Sequence, residues 1–288
     1  MKPKRIATAF ALLAAILYAV NIPLSKLLLR RVQPAMMAAL LYLGAGLGLC
    51  AYGKIAKPQG ERLTLSDLPY TLAMIALDVL APILLMLGLA RTNSANASLL
   101  NNFEIVATSV IAFAAFGERL SKRLTLAIVL VTLAGVILSF EGKDSFRFNT
   151  GSLFVLAAAC CWGLENNCTR KLSEKSSVQI TTVKGIFSGL GSLIVALVCR
   201  ESLPAVRWTL AVMALGFVSY GLSINFYIKA QKELGAAKTS AYYAVAPFVG
   251  VLFGLLLLSE QPEPQFYLGL GIMILATVMM SREESNAV

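Results

Sequence analysis

The stretch YAVNIPLSK, Tyr18–Lys26, returns in altered form as WGLENNCTR, Trp162–Arg170. Each opens on an aromatic-small pair, carries asparagine or glutamate at its fourth position and serine or threonine at its eighth, and ends on a basic residue. Further on, TNSANASLL from Thr92 aligns with LGAAKTSAY from Leu234, Glu118 falls on Glu260, and LAGVILS from Leu133 falls on LATVMMS from Leu275. The chain reads as two copies of one unit, residues 1–145 and 146–288, and a repeat of this kind governs the whole fold.

Around these landmarks the chain is apolar. Of its 288 residues 58% are hydrophobic and 14% charged, and the mean hydropathy is +0.75, whereas a soluble domain is roughly 45–50% apolar. This composition predicts an all-α integral membrane protein. Apolar runs at 6–26, 34–53, 68–90, 94–116, 123–140, 151–169, 178–199, 207–228, 236–258 and 265–281 predict ten transmembrane helices, five in each copy. Five is odd, so the second copy enters the membrane from the opposite side. Two inverted five-helix repeats are the architecture of many secondary transporters, with the substrate at the interface of the halves.

With the amino terminus in the cytoplasm, sixteen basic residues lie on the cytoplasmic side and eight on the other. The positive-inside rule then predicts that both termini are cytoplasmic. The net charge of +10 is spread over short loops, which marks a membrane surface and excludes a nucleic-acid partner. The basic start of MKPKRIATAFALLAAILYA imitates a signal peptide, but the comparable segments that follow make it an uncleaved first helix. The expected location is the plasma membrane, in a bacterium the inner membrane.

An enzymatic reading lacks parts. The chain has no histidine, so a serine or cysteine nucleophile has no ordinary base. The five cysteines, Cys50, Cys160, Cys161, Cys168 and Cys199, sit in apolar runs without metal-ligand spacing. Neither a cofactor nor a metal is expected. Glycines Gly44 and Gly48, like Gly185 and Gly189, are four apart inside spans. They predict close helix crossings, not a nucleotide loop.

The aromatic-small pair in the first helix of each half, the TSA at Thr239–Ala241, the Pro247-Phe248 pair, and Glu118 or Glu260 followed by a small-residue helix resemble the EamA family of the drug/metabolite transporter superfamily. The resemblance implies a central cavity walled mainly by helices 3, 4, 8 and 9, with contributions from 1 and 6, through which small polar metabolites move, often outward. Where such a chain usually has a proline in the fourth helix of a half, the first half here has Ile105, preceded by Glu104.

Charged residues inside spans cost about 2.5–3.5 kcal/mol each and face a cavity or a partner. Here they are Asp78, Glu104, Glu165 and Lys184. Asp78 lies fourteen residues before Thr92 and Glu104 twelve after it, which at about 1.5 Å per residue puts the two acids within ~3 Å of the same depth. Two acids brought close suit proton coupling; the alternative is that each bonds to a different neighbour. Asn101, Glu104 and Thr108 share a helix face, and the repeat sets Tyr243 opposite Asn101 and Tyr220 opposite Asp78, with Asn225 nearby. Asp78, Asn101, Glu104, Tyr220, Asn225 and Tyr243 are the candidate substrate-binding residues. Trp162, Glu165 and Thr169 share a face of helix 6 as Tyr18, Asn21 and Ser25 do in helix 1. Tyr18, Asn21, Trp162, Glu165 and Lys184 are therefore candidates for gating or coupling; Lys184 either snorkels to the surface or pairs with Glu165. Pro23, Pro82 and Pro247 are candidate hinges.

The function expected is secondary transport, with export the direction, of a small polar metabolite or drug-like solute. Alternating access moves the solute and protons are the candidate coupling ion. The acids outnumber the bases at mid-depth, which favours a cationic or zwitterionic solute over an anion. The alternative is a transport-inactive membrane interaction or sensor protein that keeps the fold. Expected partners are the solute and the bilayer, with the chain a monomer or homodimer.

Overall fold

Long runs of Leu, Ala, Ile and Met with few internal breakers make this chain almost wholly helical. A computed structural model describes residues 2–55, 60–116, 122–138, 140–141, 147–172, 175–234, 242–243 and 245–286. The first half contributes α1 (Lys2–Ala19), α2 (Asn21–Leu28), α3 (Pro34–Ile55), α4 (Leu68–Leu89), α5 (Ser94–Leu100), α6 (Phe103–Phe116) and α7 (Lys122–Leu138). After a two-residue antiparallel pairing of β1 (Phe140–Glu141) with β2 (Arg147–Phe148) come α8 (Thr150–Arg170), α9 (Ser177–Val198) and α10 (Val206–Gly216). A π-helical segment, Phe217–Leu222, leads into α11 (Ser223–Leu234), followed by α12 (Ala246–Leu258) and α13 (Pro264–Asn286).

The fold is all-α and its apolar helices are those of a multi-pass membrane protein. Among the described residues five stretches are long and apolar enough to cross a bilayer: Arg5–Leu28, Pro34–Lys54, Leu65–Leu89, Ser177–Val198 and Val206–Tyr227. Three predicted spans are not continuous α-helices. The run at 6–26 breaks at Val20, the run at 94–116 breaks at Asn101–Asn102, and the run at 207–228 contains the π segment. Glu118 and Thr239–Ala241 lie outside the described residues.

Helix α3 holds the halves together. It lies between α9 and α10, and glycines make both crossings possible, because a Cβ on Gly185 would fall 2.4 Å from Gly46 N and one on Gly216 would fall 1.9 Å from Leu41 O. The small-residue contacts foreseen for Gly44, Gly48, Gly185 and Gly189 are present. Gly46 is the residue that meets Gly185, while Gly44 and Gly48 receive Met213 and Phe217.

Polar side chains fasten the helix ends, Glu201 and Glu260 across the same divide and Lys26 within the first half. Glu201 accepts from the N–H groups of Ala35 and Met36 at the start of α3. Glu260 does the same for Ser94 and Ala95 at the start of α5. Lys26 donates to Leu89 O and Thr92 O at the end of α4. Anions thus sit at helix starts and the cation at a helix end, as the helix dipole favours. Lys175 bridges to Glu61 at 3.1 Å, a hydrogen bond that holds its ammonium above the usual lysine range.

Candidate functional site

Three helix interruptions meet at the centre of the molecule, and each has a local cause. Pro23 has no N–H, so Ala19 O loses its partner four residues on. Helix α1 ends at Ala19 and α2 restarts at Asn21. At Asn101–Asn102 the chain tightens, with Asn102 N bonding Leu99 O and Glu104 N bonding Asn101 O. No proline is needed there, because asparagine side chains compete with helical backbone bonding. The third interruption, Phe217–Leu222, has the extra residue per turn of a π-helix, a feature common at functional sites.

The breaks expose polar atoms that bond one another, both within the first half and across the two halves. Asn101 Nδ2 donates to the Tyr18 hydroxyl at 3.0 Å. Asn21 Nδ2 donates to the Tyr220 hydroxyl at 3.1 Å while its Oδ1 accepts from Ser25 Oγ. Tyr18 meets Tyr220 edge-on at 6.0 Å between centroids and Tyr243 at 5.8 Å. Beside them a small pocket is lined by Tyr18, Ile22, Ser98, Asn101, Pro247 and Gly250, among others. Gly250 has to be small, since a Cβ there would lie 2.8 Å from Ser98 Oγ and 3.3 Å from Ala19 O.

A second cluster carries full charges. Lys184 Nζ on α9 lies 3.0 Å from Asp78 Oδ2 on α4 and 3.0 Å from Glu165 Oε1 on α8. Asp78 also accepts from the Tyr42 hydroxyl at 2.9 Å, and Glu165 from Thr169 Oγ1 one turn away. Asp78 is fully buried and Glu165 nearly so, so the two carboxylates need the ammonium between them. The Tyr42 ring lies 5.1 Å from Tyr220, joining the two clusters.

These contacts correct the hairpin reading of Asp78 and Glu104. Asp78 spends its carboxylate on Lys184 and Tyr42. Glu104, on the first turn of α6, accepts from Asn166 Nδ2 at 2.7 Å. Each acid has its own neighbours, because Lys184 and Glu165 from the second half supply a partner that hairpin geometry cannot foresee. Lys184 does not snorkel. Of the predicted residues, Tyr18, Asn21, Asn101, Tyr220 and Tyr243 gather in one cluster and Asp78, Glu165 and Lys184 in the other. Trp162 is buried in the same core as Tyr42 and Tyr220. Asn225 is buried on α11 without a hydrogen bond to its amide among the described residues, and no such bond ties it to either cluster.

Sequence reasoning missed Tyr42, Ser98 and Asn166. A lone hydroxyl in the apolar middle of α3 is the signal that could have singled out Tyr42, and Asn166 stands next to Glu165.

Known proteins resemble the chain along most of its length. The model of the EamA-like transporter family matches residues 5–140 and again 149–282. An uncharacterized transporter from Methanothermobacter thermautotrophicus is 28% identical over 267 residues, covering 86% of this chain and 78% of the relative. The uncharacterized inner membrane transporter YedA of Escherichia coli K12 is 23% identical over 255 residues, covering 86% and 81%. A solved crystal structure superposes with a TM-score of 0.71 over 96% of this chain and 98% of its own at 18% identity, a likeness of fold alone.

Proposed function

Because the chain belongs to the EamA-like transporter family, we propose that it is a secondary transporter that exports a small polar metabolite or drug-like solute by alternating access between its halves. In this reading residues 1–145 and 146–288 are inverted five-helix repeats, ten spans in all, with both termini cytoplasmic. The partners are the bilayer, the solute and protons as coupling ion, and the chain works as a monomer or homodimer.

One observation supports this reading above the others. Breaks in three helices, at Val20, Asn101–Asn102 and Phe217–Leu222, meet where residues of the two halves bond each other. Interrupted helices facing one another across a repeat interface are how transporters free backbone and side-chain groups for a solute near mid-membrane. Asn101, Glu104, Tyr220 and Tyr243 act there in binding and coupling, with Tyr18, Asn21 and Trp162 controlling access, while Asp78, Glu165 and Lys184 hold α4, α8 and α9 together. Glu104 carries the coupling proton, since it is the membrane acid without a basic partner among the described residues.

Proteoliposomes holding the purified chain, given a pH gradient and a panel of radiolabelled amino acids, amines, nucleosides and sugars, test this. Gradient-driven accumulation of one of these solutes, lost in Glu104→Gln, is the expected result. Accumulation that survives Glu104→Gln removes the coupling role, and no accumulation of any of them removes the transporter reading.

A further inference from the structure

We propose, building on the transporter reading, that Glu104 together with the faces of Tyr18 and Tyr243 seats a primary ammonium group, so that the solutes this chain moves are amines.

Charge is the first ground. Among the described residues three carboxylates stand within the membrane-spanning helices near the two clusters, and Lys184 is held by two of them, Asp78 and Glu165, at 3.0 Å each. Glu104 is left with an amide donor, Asn166 Nδ2, and no cation within salt-bridge distance among the described residues. It is partly exposed, where the other two are buried. A carboxylate in such a setting calls for a positive charge from outside the chain.

Hydrogen-bonding capacity is the second, independent ground. Ser98 and Asn101 line the pocket beside Tyr18, and Ser98 Oγ and Asn101 Oδ1 have no hydrogen-bond partner among the described residues. Both residues are at least nine-tenths buried, at 1% and 5% exposure. One N–H of the Asn101 amide is committed to the Tyr18 hydroxyl, and its Oδ1 is an acceptor without a partner among the described residues. Glu104 follows within one turn, its N–H bonded to Asn101 O. An ammonium group has three donors and no acceptor, the complement of this set. A carboxylate-only solute would bring a second negative charge toward Glu104.

The aromatic rings are the third. Tyr18 and Tyr243 stand 5.8 Å apart and tilted by 37°, with Tyr227 edge-on to Tyr243 at 5.0 Å. Glu104 is tied to this ring pair through Asn101, whose backbone O accepts from Glu104 N and whose Nδ2 donates to the Tyr18 hydroxyl. Ring faces attract cations.

The test uses the full chain purified in detergent, with n-butylammonium chloride as probe and n-butanol and sodium butyrate as its neutral and anionic counterparts. Thermal unfolding is followed as each is titrated. Butylammonium should raise Tm saturably while the other two do not. Glu104→Gln should weaken that response at least tenfold, and Tyr243→Leu, which keeps the carboxylate, about threefold. An equal response to butyrate or butanol, or a butylammonium response unchanged in either variant, overturns the seat. Proteoliposome exchange separates the two readings. Glu104-dependent butylammonium binding without exchange of any solute ends the transporter reading and leaves the seat standing. Exchange of solutes that lack an amine and are not displaced by butylammonium does the reverse.

Discussion

Asp78, Lys184 and Glu165 pair full charges at 3.0 Å in a fully packed setting, while a few ångströms away Tyr18, Asn21, Asn101 and Tyr220 exchange neutral hydrogen bonds across broken helices. The difference is one of commitment. A buried ion pair that loses one member leaves a charge stranded, so such a cluster resists change. A neutral hydrogen bond exchanged for another costs little, so the tyrosine and asparagine cluster can trade partners with a solute. The first is suited to fixing α4, α8 and α9 together, and the second to opening.

The sharpest way to break this contrast is Lys184→Met. Removing the ammonium strands Asp78 and Glu165, and stability should fall by about 3–5 kcal/mol, seen as lost monodisperse yield and a lower Tm. The triple change Asp78→Asn, Glu165→Gln, Lys184→Met removes every charge and should recover most of that loss. Tyr42→Phe, which takes one donor from the Asp78 carboxylate, should cost about 1.5–3 kcal/mol by the same measurement. Tyr18→Phe acts in the other cluster, where Asn101 loses a neutral acceptor. It should cost about 0.5–1.5 kcal/mol and reduce transport more than stability. At the small end, Lys175→Ala removes two ion pairs, one to Glu61, which is 75% exposed, and a longer one to Asp67 at 3.6 Å, and the loss should stay within about 1 kcal/mol.

The sequence makes one of these clusters more legible than the other. Tyr18, Asn21 and Trp162, Glu165 are visible because the repeat sets them in register, and the i, i+4 bonds Ser25 to Asn21 and Thr169 to Glu165 follow from helical spacing. The break at Val20 is written in Pro23. The break at Asn101–Asn102 is hidden, because Asn101, Glu104 and Thr108 also fit an unbroken helix face and Ile105 stands where a proline would mark an end. The π segment FVSYGL reads as ordinary apolar helix. The pairing of Lys184 with Glu165 is one of the two alternatives the sequence offers. The rest of the ion cluster needs tertiary knowledge: Tyr42 meets Asp78 36 positions away, and Lys184 meets Asp78 only through the packing of α3, α4, α8 and α9.

Glu104 is the residue on which the contrast turns, since it is an acid outside the ion cluster whose N–H bonds Asn101 of the neutral one. The most direct measurement sets Glu104→Gln beside Lys184→Met, recording Tm in detergent and pH-gradient-driven uptake in proteoliposomes for both. Glu104→Gln should unfold within about 2 °C of the unmodified chain, roughly the shift that 1 kcal/mol produces at this size, and lose its gradient-driven uptake, while Lys184→Met melts well below both. A Glu104→Gln protein that transports as before, or a Lys184→Met protein as stable as the parent, contradicts the division of labour between the two clusters.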